Sequence, residues 1–98
     1  MKKILLACCA GMSSSLLVKR MQQYAKENDI ECIIEAHAIS EAKEKLDEFD
    51  ICLIAPQVRD QYSAIKNLST NPVVIIDTRD YGLIDGKAVI KTALQIIK

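Results

Sequence analysis

Lys3-Ile4-Leu5-Leu6-Ala7-Cys8-Cys9-Ala10-Gly11-Met12-Ser13-Ser14-Ser15-Leu16-Leu17-Val18 is the stretch that decides how this chain folds. Ile4 to Ala7 reads as a buried strand, and Leu16, Leu17, Val18 and Met21 read as the apolar stripe of a helix. Between them, Cys8 to Ser15 forms a tight loop of small residues. A strand, such a loop and a helix start make a ready-made anion site, because main-chain N–H groups and the positive end of the helix dipole converge on one point. Small side chains let the main chain curl round a phosphate, and the serine hydroxyls add donors. A thiol at the first position of the loop makes it a candidate for chemistry on phosphorus, beyond binding alone.

Working outward, Lys3 to Ala7 is strand one, continuously apolar as expected of a strand covered on both faces. Helix one runs from Ser13 to about Asn28, with Leu16, Leu17, Met21 and Tyr24 on its apolar face and the serine run as its N-cap. Asn28-Asp29 is a turn. Strand two covers Ile30 to about His37. Ser40 opens helix two as an N-cap, with Ala42, Leu46 and Phe49 towards the core. Strand three is Ile51 to Ala55, broken by Pro56-Gln57, and helix three follows from about Val58 to Leu68. After the turn at Asn71-Pro72 come strand four (Val73 to Ile76), an irregular connection (Asp77 to Gly86) and helix four (Lys87 to Ile97).

Strand and helix alternate four times through short connections. That pattern predicts an α/β fold: a four-stranded parallel sheet in the order 2-1-3-4, with right-handed crossovers and helices on both faces, a flavodoxin-like three-layer sandwich. The switch point then falls at the carboxyl ends of strands one and three. The loop at Cys8 lies there, Pro56-Gln57 lies beside it, and Asp77 to Gly86 shares the edge. The fold rule and the motif select one site independently.

Composition narrows the function. The 98 residues suit a single domain, 1–98, and with only 4% aromatic residues its core is aliphatic. Thirteen basic residues balance thirteen acidic ones, which argues against broad electrostatic binding to nucleic acid or anionic membrane. No apolar run approaches the roughly 20 residues needed to span a bilayer. Met1-Lys2-Lys3 and the apolar run after it mimic a signal peptide weakly, but Gly11, Ser13 and an amphipathic helix interrupt at once, so a cytoplasmic protein is expected. Cys32 and Cys52 sit in strand-like apolar runs and read as buried core thiols. With one His and no Cys-x-x-Cys pair, neither a metal nor a cofactor is expected, and a reducing compartment suits four free thiols.

A thiol attacks only when ionised, and a free cysteine is mostly protonated at neutral pH. A helix N-terminus and converging amides favour the thiolate, and favour a phosphate placed on it more strongly. Cys8 opens the turn, three residues before Gly11, so its sulfur suits the loop centre; Cys9 already lies on the loop wall. A Walker P-loop is excluded because this loop has no Lys. A cysteine phosphatase of the low-molecular-weight type is the serious rival, since it too places a Cys-led loop after strand one. That chemistry uses Cys-x-x-x-x-x-Arg, the Arg clamping the phosphoryl group bidentately. Counting from Cys8 the Arg position holds Ser14, and from Cys9 it holds Ser15; the chain also has no Asp-Pro general acid. A loop that keeps a phosphoryl group on sulfur without releasing it to water suits relay. A non-catalytic anion-sensing module is the third reading open to these residues.

Cys8-x-x-Gly11-Met12-Ser13-Ser14-Ser15-Leu16-Leu17-Val18 resembles the enzyme IIB component of the lactose/cellobiose/chitobiose family of the bacterial phosphoenolpyruvate-dependent sugar phosphotransferase system. The similarity extends through Ile34-Glu35-Ala36, Ala55-Pro56-Gln57-Val58 and Tyr81-Gly82…Asp85-Gly86, and covers essentially the whole chain. The resemblance implies that Cys8 is the phosphorylated cysteine and that Cys9, Ala10, Gly11, Met12, Ser13, Ser14 and Ser15 form the phosphate-binding loop. It implies a phosphohistidine donor, the IIA component, and a membrane IIC component that presents a sugar. Cys9 departs from the family, where a small polar residue is more usual, and opens a route to a vicinal Cys8–Cys9 disulfide under oxidation.

Other residues weigh less. Gln57 either donates to the phosphate or a partner, or is a turn residue. Tyr81 and Asp85 are candidates for the site rim, though Tyr-Gly and Asp-Gly turns need no function. His37 reads as a surface or helix-entry residue in preference to a relay. Lys19 and Arg20 either meet an acidic partner or are solvated, and Met12 is a candidate apolar contact for partner proteins.

Overall fold

In the computed structural model, which describes residues 1–9 and 14–97, β1 (Lys2–Cys8) is buried from Ile4 through Cys8. That is why its sequence is continuously apolar: both faces are covered. β2 (Cys32–Ala38), β3 (Ile51–Ile54) and β4 (Val73–Ile75) complete an all-parallel sheet in the order 2-1-3-4, as expected. Cys8 pairs with Ala38, Ala7 with Ile54, and Ile54 with Ile75. The register therefore brings the carboxyl ends of all four strands to one edge.

Alternation along β1 and β3 feeds two cores. Ile4, Leu6, Ile51 and Leu53 pack with Leu17, Met21 and Ala25 of α1 (Ser15–Glu27) and Val89, Ile90 and Ala93 of α5 (Gly86–Ile97). Leu5, Ala7, Cys52 and Ile54 pack with Ala42 of α2 (Ile39–Lys45), with Leu46 and Phe49, and with Ile65 of α3 (Tyr62–Leu68). The result is three layers, the sheet lying between two helical faces. Each buried Leu or Ile contributes about 1.5–3 kcal/mol, so aliphatic burial on both faces holds the sandwich together with almost no aromatic area.

Local physics moves several boundaries from their expected places. β2 starts at Cys32, not Ile30, because Ile30 belongs to the stop signal of α1. Its N–H reaches back to the Ala25 carbonyl at 2.8 Å, across Asp29 at φ 53°. This is the left-handed helix ending in which the main chain satisfies its own last carbonyls. β2 also runs one residue past His37. Ser40 does not cap α2; Ala38, in extended conformation, stands at that position and Ser40 lies inside the first turn. A 3-10 turn, Leu46–Glu48, then follows α2, with Leu46 and Phe49 buried as expected.

Helix three divides in two. Pro56–Gln61 forms a 3-10 segment kinked at Val58, and only Tyr62–Leu68 is α-helical. Asp77 to Gly86 is not irregular, for it contains a short helix, α4 (Thr78–Gly82). β3 and β4 each stop one residue earlier than expected, and α5 begins one residue earlier, at Gly86. The apolar stripe of α1 is Leu17–Met21–Ala25, whereas Leu16 is 46% exposed. Cys32, expected in the core, is only half-buried because it opens an outer strand; Cys52 is buried.

Candidate functional site

Cys8 is the last residue of β1 and is 0% exposed. Its thiol donates to the main-chain carbonyl oxygen of His37 on β2, with Sγ at 3.6 Å. Cys9 is exposed. Neither cysteine is in a disulfide. The loop positions Ala10, Gly11, Met12 and Ser13 lie outside the described residues. The chain is described again from Ser14, a wholly buried side chain immediately before α1.

Ser14 stands at the N-cap position of α1, yet its side chain does not cap the helix. The expected capping role is thus corrected. With φ −100° and ψ −4°, its backbone is helical, whereas a capping serine is usually extended. The Ser14 Oγ instead lies 3.1 Å from Tyr81 Oη, a contact bridging 67 positions of sequence. Tyr81 is carried by α4, whose first turn is fastened by Asp77: one carboxylate oxygen accepts from the N–H groups of Arg79 at 2.9 Å and Asp80 at 3.2 Å. Tyr81 therefore does reach the loop. Ser15, the first residue of α1, is exposed.

The other candidates part company. Gln57 is exposed on the turn that leaves β3, at the carboxyl edge. Asp85 serves α5, its carboxylate accepting the Ala88 N–H at 3.0 Å. It lines a separate groove of about 510 Å³ with Arg20, Tyr24 and Lys87. The His37 ring is engaged with acids, Nε2 lying 2.8 Å from Glu35 Oε1 and Nδ1 3.9 Å from Glu41 Oε2. What the sequence reading missed at His37 is its carbonyl; the β1–β2 register is the one rule that brings it close.

Beside the edge, Cys9 opens on a groove of about 640 Å³ lined also by Ala38, Ile39, Lys43, Val58 and Gln61. Among the described residues no set of three His, Cys, Asp or Glu side chains is placed to hold a metal ion. Burial pushes the Cys52 thiol up to about 12, and raises that of Cys32 as well. Both are poor nucleophiles for that reason, since low-dielectric surroundings disfavour the thiolate.

Residues 3–92 match the family model described as "PTS system, Lactose/Cellobiose specific IIB subunit". The chain belongs to this family. It is 40% identical over 100 residues to the oligo-beta-mannoside-specific EIIB component of Bacillus subtilis, covering 99% of this chain and 97% of that one. It is 34% identical over 104 residues to the galactose-specific EIIB component of Lactococcus lactis, covering 98% and 96%. The solution structure of the cellobiose-specific phosphotransferase IIB component of Borrelia burgdorferi superposes with a TM-score of 0.83 at 39% identity, covering 98% and 91%. This IIB subunit thus shares sequence and fold, nearly end to end, with relatives named for three different sugars. Among its described residues no helix is long and apolar enough to cross a membrane.

Proposed function

We propose that this IIB subunit is a phosphoryl carrier working at the cytoplasmic face of a sugar uptake system. Cys8 takes the phosphoryl group from a phosphohistidine of the IIA component. It then passes the group to a β-linked disaccharide of the cellobiose, chitobiose or lactose class, held by the membrane IIC component. The observation that carries this reading is the position of Cys8: it ends the central strand β1, directly ahead of the loop and of α1, in a chain of the IIB family.

In the first transfer the phosphorus–nitrogen bond of the donor breaks and a sulfur–phosphorus bond forms, while the thiol proton leaves with the imidazole. In the second, a sugar hydroxyl attacks phosphorus, the sulfur–phosphorus bond breaks, and the hydroxyl proton returns to sulfur. Both steps need in-line approach and charge stabilisation more than acid–base work. Main-chain donors of the Cys9 to Ser15 loop supply that stabilisation. Ser14 contributes through its backbone, its hydroxyl being committed to Tyr81. No arginine stands at position 14 or 15 to clamp an intermediate for hydrolysis. The sulfur is closed from solvent, so docking of the donor has to uncover it.

Intact-mass measurement after mixing with a phosphorylated IIA component of this class tests the proposal. The unaltered chain gains one phosphoryl group, Cys9→Ser gains it too, and Cys8→Ser does not. Loss of the group in Cys9→Ser alone would move the chemistry to Cys9. Steady release of phosphate from an aryl phosphate, abolished in Cys8→Ser, would make the chain a phosphatase instead.

A further inference from the structure

We infer that the main-chain carbonyl of His37 sets how readily Cys8 gives up a phosphoryl group, by bonding to the sulfur only while it is unloaded. This role rests on the reading of Cys8 as the phosphoryl acceptor.

The parallel register makes the contact. Cys8 closes β1 opposite Ala38, so the carbonyl just before Ala38 lies against it. The thiol donates to that carbonyl across 29 positions of sequence, with Sγ at 3.6 Å. Cys8 is wholly buried, so bulk water does not compete for the acceptor, and low-dielectric surroundings strengthen a hydrogen bond. The imidazole of His37 has no share in this, being turned to Glu35 and Glu41. Only the backbone of His37 meets the sulfur.

Loading removes the bond. The S–H bond gives way to an S–P bond, the proton leaves with the donor imidazole, and the sulfur then has nothing to donate. A carbonyl oxygen cannot donate in return, so two electron-rich atoms face each other. The contact therefore stabilises the unloaded chain and has no counterpart in the loaded one. A contact confined to one of two states displaces the equilibrium between them by its full strength. Here it opposes accumulation of the loaded chain and favours passing the group onward. A thiol is a weak donor, so the displacement is about twofold to fivefold in the equilibrium constant.

The experiment weakens the acceptor and leaves the sulfur alone. A full chain assembled by ligation at Cys32 carries lactic acid in place of Ala38, which turns the peptide bond after His37 into an ester. An ester carbonyl accepts more weakly than an amide. Across a trans peptide the His37 C=O and the Ala38 N–H point in opposite directions. The N–H that is lost therefore lies on the outer side of β2, where the sheet ends. A second ester, with lactic acid in place of Ala36, is the control. It weakens the Glu35 carbonyl, which also faces β1, two residues back and opposite Leu6. Any cost to the β1–β2 ladder is common to both esters, and only the first concerns the thiol.

Each chain is mixed with a phosphorylated IIA component until the distribution stops changing, intact mass gives the loaded fraction, and thermal melts check folding. The ratio of loaded to unloaded chain rises about twofold to fivefold in the ester at position 38 and does not rise in the ester at position 36. No rise at position 38, or an equal rise in both, overturns the inference. Should the ester chain not fold, the carbon-13 resonance of the His37 carbonyl in the unaltered chain decides. It moves upfield on loading as the hydrogen bond is lost, and a resonance that stays in place overturns the inference. If the unaltered chain forms no adduct on Cys8, the carrier reading itself falls and takes this inference with it. If the adduct forms and the ester at position 38 loads like the unaltered chain, this inference alone fails.

Discussion

Cys8 and Cys9 are neighbours in the chain and opposites in exposure: the first is 0% exposed with its thiol on the His37 carbonyl, the second faces solvent. Alkylation of the folded chain with iodoacetamide, followed by peptide mapping, therefore labels Cys9 first and the half-buried Cys32 next. Cys8 and Cys52 are labelled only slowly, since access as well as ionisation controls thiol reactivity. Early labelling of Cys8 would contradict the closed strand end.

Gly86 opens α5 where that helix crosses α1. A Cβ placed on it lies 2.7 Å from the Arg20 carbonyl carbon and 2.7 Å from the Met21 nitrogen. Both are main-chain atoms that cannot swing aside. Gly86→Ala forces the helices apart and is expected to cost about 1–3 kcal/mol, as overpacking does. At this chain length each kcal/mol lowers the melting temperature by about 4–8 °C. A melt unchanged by Gly86→Ala would show that the crossing can yield.

The sheet order and the Cys8 edge were legible because continuous apolar runs at Ile4–Ala7 and Ile51–Ile54 have one physical meaning, burial on both faces. The Tyr81–Ser14 contact was not. Tyr81-Gly82 and Asp85-Gly86 read as turn pairs, and that hid α4. The usable signal was Asp77 just after a strand, a capping residue placed to fasten a helix. Leu16 was misplaced for a simpler reason. The stripe of α1 advances by four from Leu17, which turns Leu16 to the side. At His37, backbone chemistry decides what touches Cys8, and the side-chain letter carries no trace of it.

Asp77 fastens the start of α4. It accepts two N–H groups of α4 and so seats the helix that carries Tyr81. Asp77→Ala is expected to cost about 1 kcal/mol, the usual worth of an N-cap. Thermal melts read the loss. Asp77→Asn keeps an acceptor oxygen and melts close to the unaltered chain. Equal losses in the two variants would assign the effect to charge, not to capping.

Cys52 gives the protein an alkaline limit whose sign follows from its burial. The folded state holds the thiol proton up to about 12, against an ordinary value of 9.0. Between those two values the unfolded chain releases this proton and the folded chain keeps it. The unfolded state then binds fewer protons, and stability falls as pH rises. The contribution is intact below about pH 9 and is lost on approach to about pH 12; Cys32, also raised by burial, acts in the same direction. Urea unfolding at about pH 8 and about pH 11 measures the slope. Cys52→Val keeps an apolar side chain of similar size but has no proton to lose, so its midpoint falls less over that interval. Cys52→Val changes no other side chain, so the difference between the two chains isolates the sulfur. Identical slopes in the two chains would mean that packing around Cys52 opens readily enough for water to reach it.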